Sequence, residues 1–127
     1  MNDEVWTVER HLAGKPAFAV ELFERLRAIL AGFGPFEVSV SKTTVTFKGP
    51  RRGFAGAHPT STGLRGYFDV QRDILAATGD PRITRAEPYT RRLFVHQFRL
   101  TAPEQLDGVF AGWLAEAYAV GQGAHLE

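Results

Sequence analysis

Basic and aromatic residues are interleaved through the middle of this chain, and together they have the chemistry of an anion-binding surface. The basic side chains are Lys42, Arg51, Arg52, Arg65, Arg91, Arg92 and Arg99, and the aromatic ones are Phe54, Tyr67 and Tyr89. Guanidinium groups bind phosphate and carboxylate through paired hydrogen bonds, and exposed aromatic rings stack on bases. Because side chains alternate along a strand, however, a sheet would divide these residues between its two faces.

Charge is unevenly distributed along the 127 residues, although the formal net charge is only +1. Residues 36–100 contain eleven Lys or Arg against five Asp or Glu, a local charge of +6, and the flanking segments contain four against nine. The middle of the chain is therefore either a basic surface for an anionic partner or a layer that the acidic flanks neutralise internally. The sequence pI of about 8.2 is lower than that of most dedicated nucleic-acid-binding domains, so nucleic acid is the weaker choice of partner.

The four histidines, at positions 11, 58, 96 and 125, do not have the spacing of a metal site. No His-x-x-x-His pair places two ligands on one helical face, and the lack of cysteine excludes thiolate zinc sites, iron–sulfur clusters and disulfides. His58 and His96 both fall in predicted strands and are candidates for neighbours across a sheet. A hydrogen-bonded structural histidine is the favoured interpretation, so we predict neither a metal nor a cofactor.

Signatures of the common hydrolases and phosphate-binding loops are missing as well. The chain has no Gly-x-Ser-x-Gly elbow, and Asp69 and Glu87, the acids best placed near strands, are equally explained as turn or cap residues. The segment 49–53, Gly-Pro-Arg-Arg-Gly, lacks the Gly-Lys-Ser/Thr ending of a phosphate loop and precedes a strand, which indicates a solvated hairpin tip. We therefore predict no catalytic residues, and an enzyme is the less favoured class.

Hydrophobic periodicity predicts an α+β fold in which these residues lie on a sheet. Apolar residues recur at helical spacing near both ends of the chain and alternate in between, with a shift of parity near Lys42 that predicts either a tight turn or a bulge. The predicted helices cover 8–13, 17–32 and about 101–118, the predicted strands cover 36–40, 43–47, 54–58, 64–70, 83–86 and 89–100, and 71–78 is a short helix or a wide loop. We expect one domain over residues 1–127, an antiparallel sheet of about five or six strands with an N-terminal and a C-terminal helix packed on one face.

The segment 89–100 is the longest predicted strand, and it contains both apolar residues suited to the core and basic residues. Pro88 precedes it and confines the segment 83–86 to the edge of the sheet. His96 shares the parity of Phe94 and Phe98, which favours a structural role, although it also belongs to the candidate binding residues. The full candidate set is Lys42, Arg51, Arg52, Arg65, Tyr67, Arg91, Arg92 and His96.

No stretch of the sequence approaches the roughly 20 consecutive apolar residues of a membrane helix. The N-terminal Met-Asn-Asp-Glu is acidic where a signal peptide is basic. We therefore expect a cytoplasmic protein with no membrane partner.

Several segments resemble the bacterial domain-of-unknown-function family 5655. They are Val8-Glu9-Arg10-His11-Leu12, Leu22-Phe23-Glu24-Arg25-Leu26-Arg27, the spacing of Lys42, Phe47 and Phe54, Arg91-Arg92-Leu93-Phe94-Val95-His96, Leu106-Asp107 and Trp113-Leu114-Ala115-Glu116-Ala117-Tyr118. The resemblance covers nearly the whole chain and implies a compact bacterial α+β domain, found alone or appended to other domains. It implies no established activity, so it transfers no catalytic residue.

Three functional hypotheses follow from the sequence. The favoured one is a non-enzymatic binding or accessory module whose basic sheet surface receives an anionic partner, either a small molecule, an acidic protein surface or, less favoured, nucleic acid. The alternative is a small-molecule enzyme or ligand-binding pocket between sheet and helices, which requires Arg65, Tyr67, Arg92 and His96 to converge in one cavity. The third is dimerisation through an exposed strand or helix face.

Overall fold

The computed structural model describes residues 5–90 and 92–126. These residues form helices and a set of antiparallel strands. The helices are α1 (Val8–Leu12), α2 (Ala17–Ala31), α3 (Ile74–Thr78) and α4 (Gly108–Gly121), with 3-10 helices at Pro103–Gln105 and Ala124–Leu126. The strands are β1 (Glu37–Val40), β2 (Val45–Lys48), β3 (Gly53–Thr60), β4 (Gly63–Val70), β5 (Ile83–Thr90) and β6 (Leu93–Leu100). They form one six-stranded sheet in the order β1-β2-β3-β4-β6-β5. The predicted α+β class with an antiparallel sheet is confirmed.

Short polar side chains define where three of the helices begin. The Thr7 hydroxyl accepts a hydrogen bond from the Arg10 amide at 3.1 Å at the start of α1. Asp73 and Asp107 accept equivalent bonds at the starts of α3 and α4, each at 2.9 Å. Each cap satisfies an amide that has no partner within the first helical turn.

The C-terminal helix begins later than predicted. The segment after Thr101 forms a 3-10 turn, in which the Gln105 side-chain oxygen accepts hydrogen bonds from the amides of Thr101 and Ala102 at 2.6 and 3.0 Å. The helix α4 therefore begins at Gly108, where the Asp107 side chain caps it.

The segment 89–100 is not one strand, which corrects the sequence prediction. β5 continues through Pro88 to Thr90 and turns into β6, with Thr90 opposite Leu93. Pro88 is tolerated because β5 is the last strand in the sheet order and its outer side needs no amide donor. The edge position predicted for this segment is confirmed, whereas the predicted end at residue 86 is wrong.

A tight turn explains the parity shift near Lys42. β1 and β2 are antiparallel neighbours with Val40 opposite Val45, and the Ser41 amide donates to the Thr44 carbonyl at 3.0 Å. Of the two predicted alternatives, a turn and a bulge in one long strand, the turn is confirmed.

Buried apolar side chains occupy alternate positions of the central strands, and this alternation separates the two faces of the sheet. Leu64, Phe68 and Val70 of β4 are fully buried and belong to one hydrophobic cluster with residues of α2 and α4. Leu64 lies opposite Leu100, and Phe68 opposite His96, so β6 contributes the same face. That both long helices pack on this one face stays a prediction, which their shared cluster favours.

An aromatic cluster around Phe68 forms the centre of this core. The ring of Phe68 lies 5.1 Å from the His96 ring, 6.1 Å from Phe98, 5.9 Å from Phe110 and 6.1 Å from Trp113, between ring centroids. The planes of Phe68 and His96 differ by only 5°. Since offset and edge-to-face aromatic contacts add to the energy of burial, this cluster joins β4, β6 and α4.

His96 is a structural residue with both ring nitrogens in use. Its side chain is fully buried, and Nε2 accepts a hydrogen bond from the Ile74 amide at 3.0 Å. Nδ1 must therefore carry the proton, which it donates to the Phe94 carbonyl at 3.2 Å. The imidazole thus connects the start of α3 to β6, and burial lowers its pKa below the ordinary value.

Replacing His96 by Phe is expected to destabilise the fold, because the ring stacking is retained but the buried Ile74 amide loses its acceptor. The expected loss in the free energy of unfolding is about 1–3 kcal/mol, measured by urea denaturation. H96Q, which keeps an acceptor, should recover part of that loss.

The two proteins should also differ in how their stability depends on pH. Because the pKa of His96 is lower in the folded protein than in the unfolded chain, wild type loses stability as the pH falls below 6.5. H96F should lack this pH-dependent loss. Equal stability of H96F and wild type would contradict the assigned role.

Candidate functional site

The face of the sheet opposite the buried apolar residues carries polar side chains on adjacent strands. We call it the polar face and define it by His58 of β3, Arg65, Tyr67 and Asp69 of β4, and Val95, Gln97 and Arg99 of β6. The strand register places His58 opposite Arg65, Arg65 opposite Arg99, Tyr67 opposite Gln97 and Asp69 opposite Val95. Since directly opposed residues point to the same side of a sheet, all seven share this face.

Arg65 and Arg99 form the cationic part of the polar face. They lie directly opposite each other on β4 and β6, and both are exposed. The Arg99 guanidinium donates one long hydrogen bond of 3.4 Å to the Thr62 hydroxyl, and the Arg65 guanidinium has no hydrogen bond or ion pair with the residues that the structure describes. Like charges directly opposed on neighbouring strands destabilise the strand pair.

His58 extends this cationic row onto β3. Burial lowers the pKa of its imidazole, and the charges of His11, Arg65 and Lys15 lower it further. His11 is held nearby by a 2.7 Å hydrogen bond between its Nε2 and the Ser41 carbonyl, and Lys15 donates to the His11 carbonyl at 3.2 Å. Burial, followed by the neighbouring charges, therefore favours the neutral form of the His58 imidazole.

A groove of about 440 Å³ runs along the polar face beside these residues. It is lined by Thr43, Thr44, His58, Arg65, Gly66, Tyr67, Thr84, Val95, Gln97 and Phe98. Gly56 lies opposite Tyr67, and a Cβ at Gly56 would collide with the Tyr67 ring. The missing side chain at Gly56 therefore lets the tyrosine ring lie across β3 at the floor of the groove.

Beyond Tyr67 the polar face contains a buried ion pair in a second pocket of about 500 Å³. Arg52 Nη2 donates to Asp69 Oδ2 at 2.7 Å, while Arg52 Nε donates to the Gly53 carbonyl at 2.9 Å. Asp69 is only 2% exposed, and its burial raises the pKa of the carboxyl to about 6 even though the Arg52 charge acts in the opposite direction. Burial also raises the pKa of the Tyr67 phenol, with the Asp69 charge acting in the same direction. The pocket and the groove are adjacent, because Tyr67 and Val95 line both.

The structure brings three of the eight predicted site residues together and disperses the others. Arg52, Arg65 and Tyr67 line the two adjoining pockets. Lys42 is exposed in the β1–β2 turn next to the groove residue Thr43. Arg51 is exposed and its backbone amide donates to the Gly121 carbonyl at the end of α4.

The remaining predicted residues lie away from the polar face or outside the described part of the chain. Arg92 follows the β5–β6 turn, where its guanidinium donates to the His125 carbonyl at 2.8 Å. His96 lies in the core, and Arg91 is outside the described residues.

The predicted convergence of Arg65, Tyr67, Arg92 and His96 in one cavity is wrong. Arg65 and Tyr67 occupy the polar face, whereas His96 has the parity of Phe68 and belongs to the opposite face. The same alternation separates His58 from His96, because His58 pairs with Arg65. A pocket between sheet and helices built on these four side chains is therefore excluded by strand geometry.

Pairing within the chain neutralises part of the basic excess of residues 36–100. Arg72 pairs with Glu116 of α4 at 2.7 Å, and Arg82 pairs with Asp80 and with Asp107, each at 2.8 Å. Arg52 is paired with Asp69, and Arg85 with Glu87. Internal neutralisation, which the sequence left open, therefore accounts for part of this charge, and the Arg65 guanidinium is among the cations without an ion pair to a described residue.

Sequence reasoning missed the combination of His58, Asp69, Gln97 and Arg99 around Tyr67. From sequence alone, His58 is a metal ligand or, more favoured, a hydrogen-bonded structural histidine, and Asp69 is a hydrolase carboxylate or, equally, a turn or cap residue. The alternation of β4 did contain a signal, because it placed Arg65, Tyr67 and Asp69 on one face in the sequence itself. The pairing of β4 with β3 and β6, which adds the other residues, is not encoded in that local pattern.

Within the described residues no group of three or more His, Asp or Glu side chains is placed to hold a metal ion. No helix in 5–90 or 92–126 combines the length and the apolar character required to cross a membrane.

The fold and the polar face extend over a segment that also matches a known family. The family model described as Domain of unknown function (DUF5655) matches residues 8–121, which run from α1 to the end of α4. The chain belongs to the DUF5655 family. This confirms the resemblance that the sequence segments indicated. Neither a curated protein nor a solved structure matches the chain.

Replacing Asp69 by Asn should change how the stability of this DUF5655 protein depends on pH. A folded pKa of about 6 against an ordinary 3.8 means that the folded protein binds the proton more tightly, so wild type gains stability from Asp69 as pH falls from about 6 to 4. The gain is about 1–3 kcal/mol, and D69N should lack it. Urea unfolding at several pH values measures the difference, with E87Q at an exposed carboxyl as the control. Parallel pH profiles for wild type and D69N would contradict the raised pKa.

Proposed function

We propose that this protein is a non-enzymatic binding module whose polar face holds a small anionic molecule. The observation that carries the proposal is the opposed pair Arg65 and Arg99, two exposed guanidinium groups on neighbouring strands beside a groove. Like charges directly opposite each other reduce the stability of the free protein. An anion bound between the two guanidinium groups is attracted to both and offsets their repulsion.

The dimensions and charge of the polar face support a small molecule over a nucleic acid. A groove of about 440 Å³ lies within the range typical of small-molecule sites. Glu87 lies opposite Val95 on the neighbouring edge strand, and Asp69 is buried on β4, so acids limit the extent of the positive surface. An extended polyanion requires a continuous track of cations, which a net charge of +1 supplies poorly.

His58 supports the proposal through the lowered pKa of its imidazole. Its pKa is lowered by burial and by surrounding cations, so an anion placed beside Arg65 would oppose the second effect. The pKa of the imidazole therefore depends on the charge of the molecule that occupies the groove.

The double variant R65A/R99A tests the proposal with inorganic pyrophosphate as the probe. Calorimetric titration at low ionic strength should show binding to wild type, and the variant should lose about tenfold or more in affinity because charge-assisted hydrogen bonds are removed. R85A removes an exposed arginine that already pairs with Glu87, and it is the matched control that should retain wild-type affinity. In addition, an NMR titration should show the pKa of His58 rising when pyrophosphate is bound.

Two results would contradict this function. One is the absence of pyrophosphate binding to wild type at low ionic strength. The other is preferential binding of a single-stranded oligonucleotide with an affinity that increases with its length, which would identify the partner as nucleic acid.

A further inference from the structure

The carboxyl group of Asp69 has a hydrogen-bonding capacity that the described residues leave unused. Its Oδ2 accepts from Arg52 at 2.7 Å, but Oδ1 is buried and has no partner in the described part of the chain. A buried acceptor without a donor is costly, and native proteins usually satisfy such atoms. Asp69 lines the pocket of about 500 Å³, so a donor can come from a molecule bound there.

Arg52 places a donor next to this acceptor. Two of its nitrogens are fixed, Nε on the Gly53 carbonyl and Nη2 on Asp69, so the plane of the guanidinium is held. Its Nη1 forms no hydrogen bond with the described residues. The ion pair beside the pocket therefore has one acceptor, the buried Asp69 Oδ1, and one donor, Arg52 Nη1, that lack a hydrogen-bond partner among the described residues. The complementary ligand edge is an N–H group beside a carbonyl or ring nitrogen, which every natural nucleobase has.

The walls of the pocket suit a flat ring. Tyr67, Tyr89 and Val95 line it together with the ion pair. Tyr89 is a large aromatic residue that is 63% exposed on the edge strand, with its ring 5.3 Å from the Arg52 guanidinium carbon. Exposed aromatic rings stack on bases with little dependence on base identity.

The same strand connects this pocket to the anion site. Arg65 and Asp69 are four residues apart on β4 and face the same way, a separation of about 13 Å along the strand. Tyr67 lies between them and, like Val95, borders both cavities. A single ligand can therefore span from Asp69 to Arg65.

We propose that the ligand of the polar face is a nucleotide, with its base against Asp69, Arg52 and Tyr89 and its phosphates against Arg65 and Arg99. This inference rests on the proposed function, because it assigns the phosphate to the anion site proposed above. It adds a second recognition element that a simple anion does not use.

Comparison of nucleotides with pyrophosphate separates the two proposals. The four ribonucleoside diphosphates and pyrophosphate are titrated by calorimetry into the full chain. At least one nucleotide should bind about tenfold more tightly than pyrophosphate, since stacking and hydrogen bonds of the base add to the phosphate contacts. If pyrophosphate binds and no nucleotide binds more tightly, the nucleotide inference is wrong and the anion-binding function stands. If neither class binds, both are wrong.

Variants of the base pocket provide the second arm of the test. D69N and Y89A should each lose the tenfold nucleotide advantage, whereas D69N should keep pyrophosphate affinity because Asp69 does not contact the phosphates. E87Q removes another negative charge near Val95 outside the pocket and should behave like wild type. Y89A changes an exposed side chain, so it reports on binding even if D69N alters stability. An unchanged nucleotide advantage in both D69N and Y89A would overturn the inference.

Discussion

The burial of Phe68 is the constraint on which the rest of the structure depends. Its ring contacts aromatic residues of β6 and α4 at the centre of the core, so its side of β4 is fixed. A shift of register by one residue would bring the charged side chains of β4 into the core, at a cost far above the energy of any single surface contact. The positions of Arg65, Tyr67 and Asp69 on the opposite face follow directly.

The polar face contains an ion pair at one end and two unpaired like charges at the other. At one end Asp69 and Arg52 form a buried pair, which costs desolvation energy that a hydrophobic pair would not incur. At the other end Arg65 and Arg99 repel each other in solvent. Other arginines are paired with acids, as in the Arg82 contacts with Asp80 and Asp107. The opposed pair Arg65 and Arg99 beside the groove is the physical basis for the proposed binding function.

Histidines occur on both faces of the sheet, and their environments give them different roles. His96 has both ring nitrogens bonded to backbone groups within the core, so it contributes to stability and is not accessible to a ligand. His58 lines the groove, where burial and nearby charges lower its pKa. The same residue type thus has a structural role in the core and borders a groove on the other face.

The sequence by itself determined the α+β class, most of the strands and helices, and the alternation of β4, because these depend on periodicity and on local caps such as Thr7. It also favoured a structural His96, since parity alone places that residue with Phe98. Only the tertiary structure decided that Thr90 turns the chain into β6, that β4 lies between β3 and β6, and that His58 and Arg99 therefore flank Arg65. Strand order arises from contacts between residues distant in sequence, and no local pattern specifies which strands become neighbours.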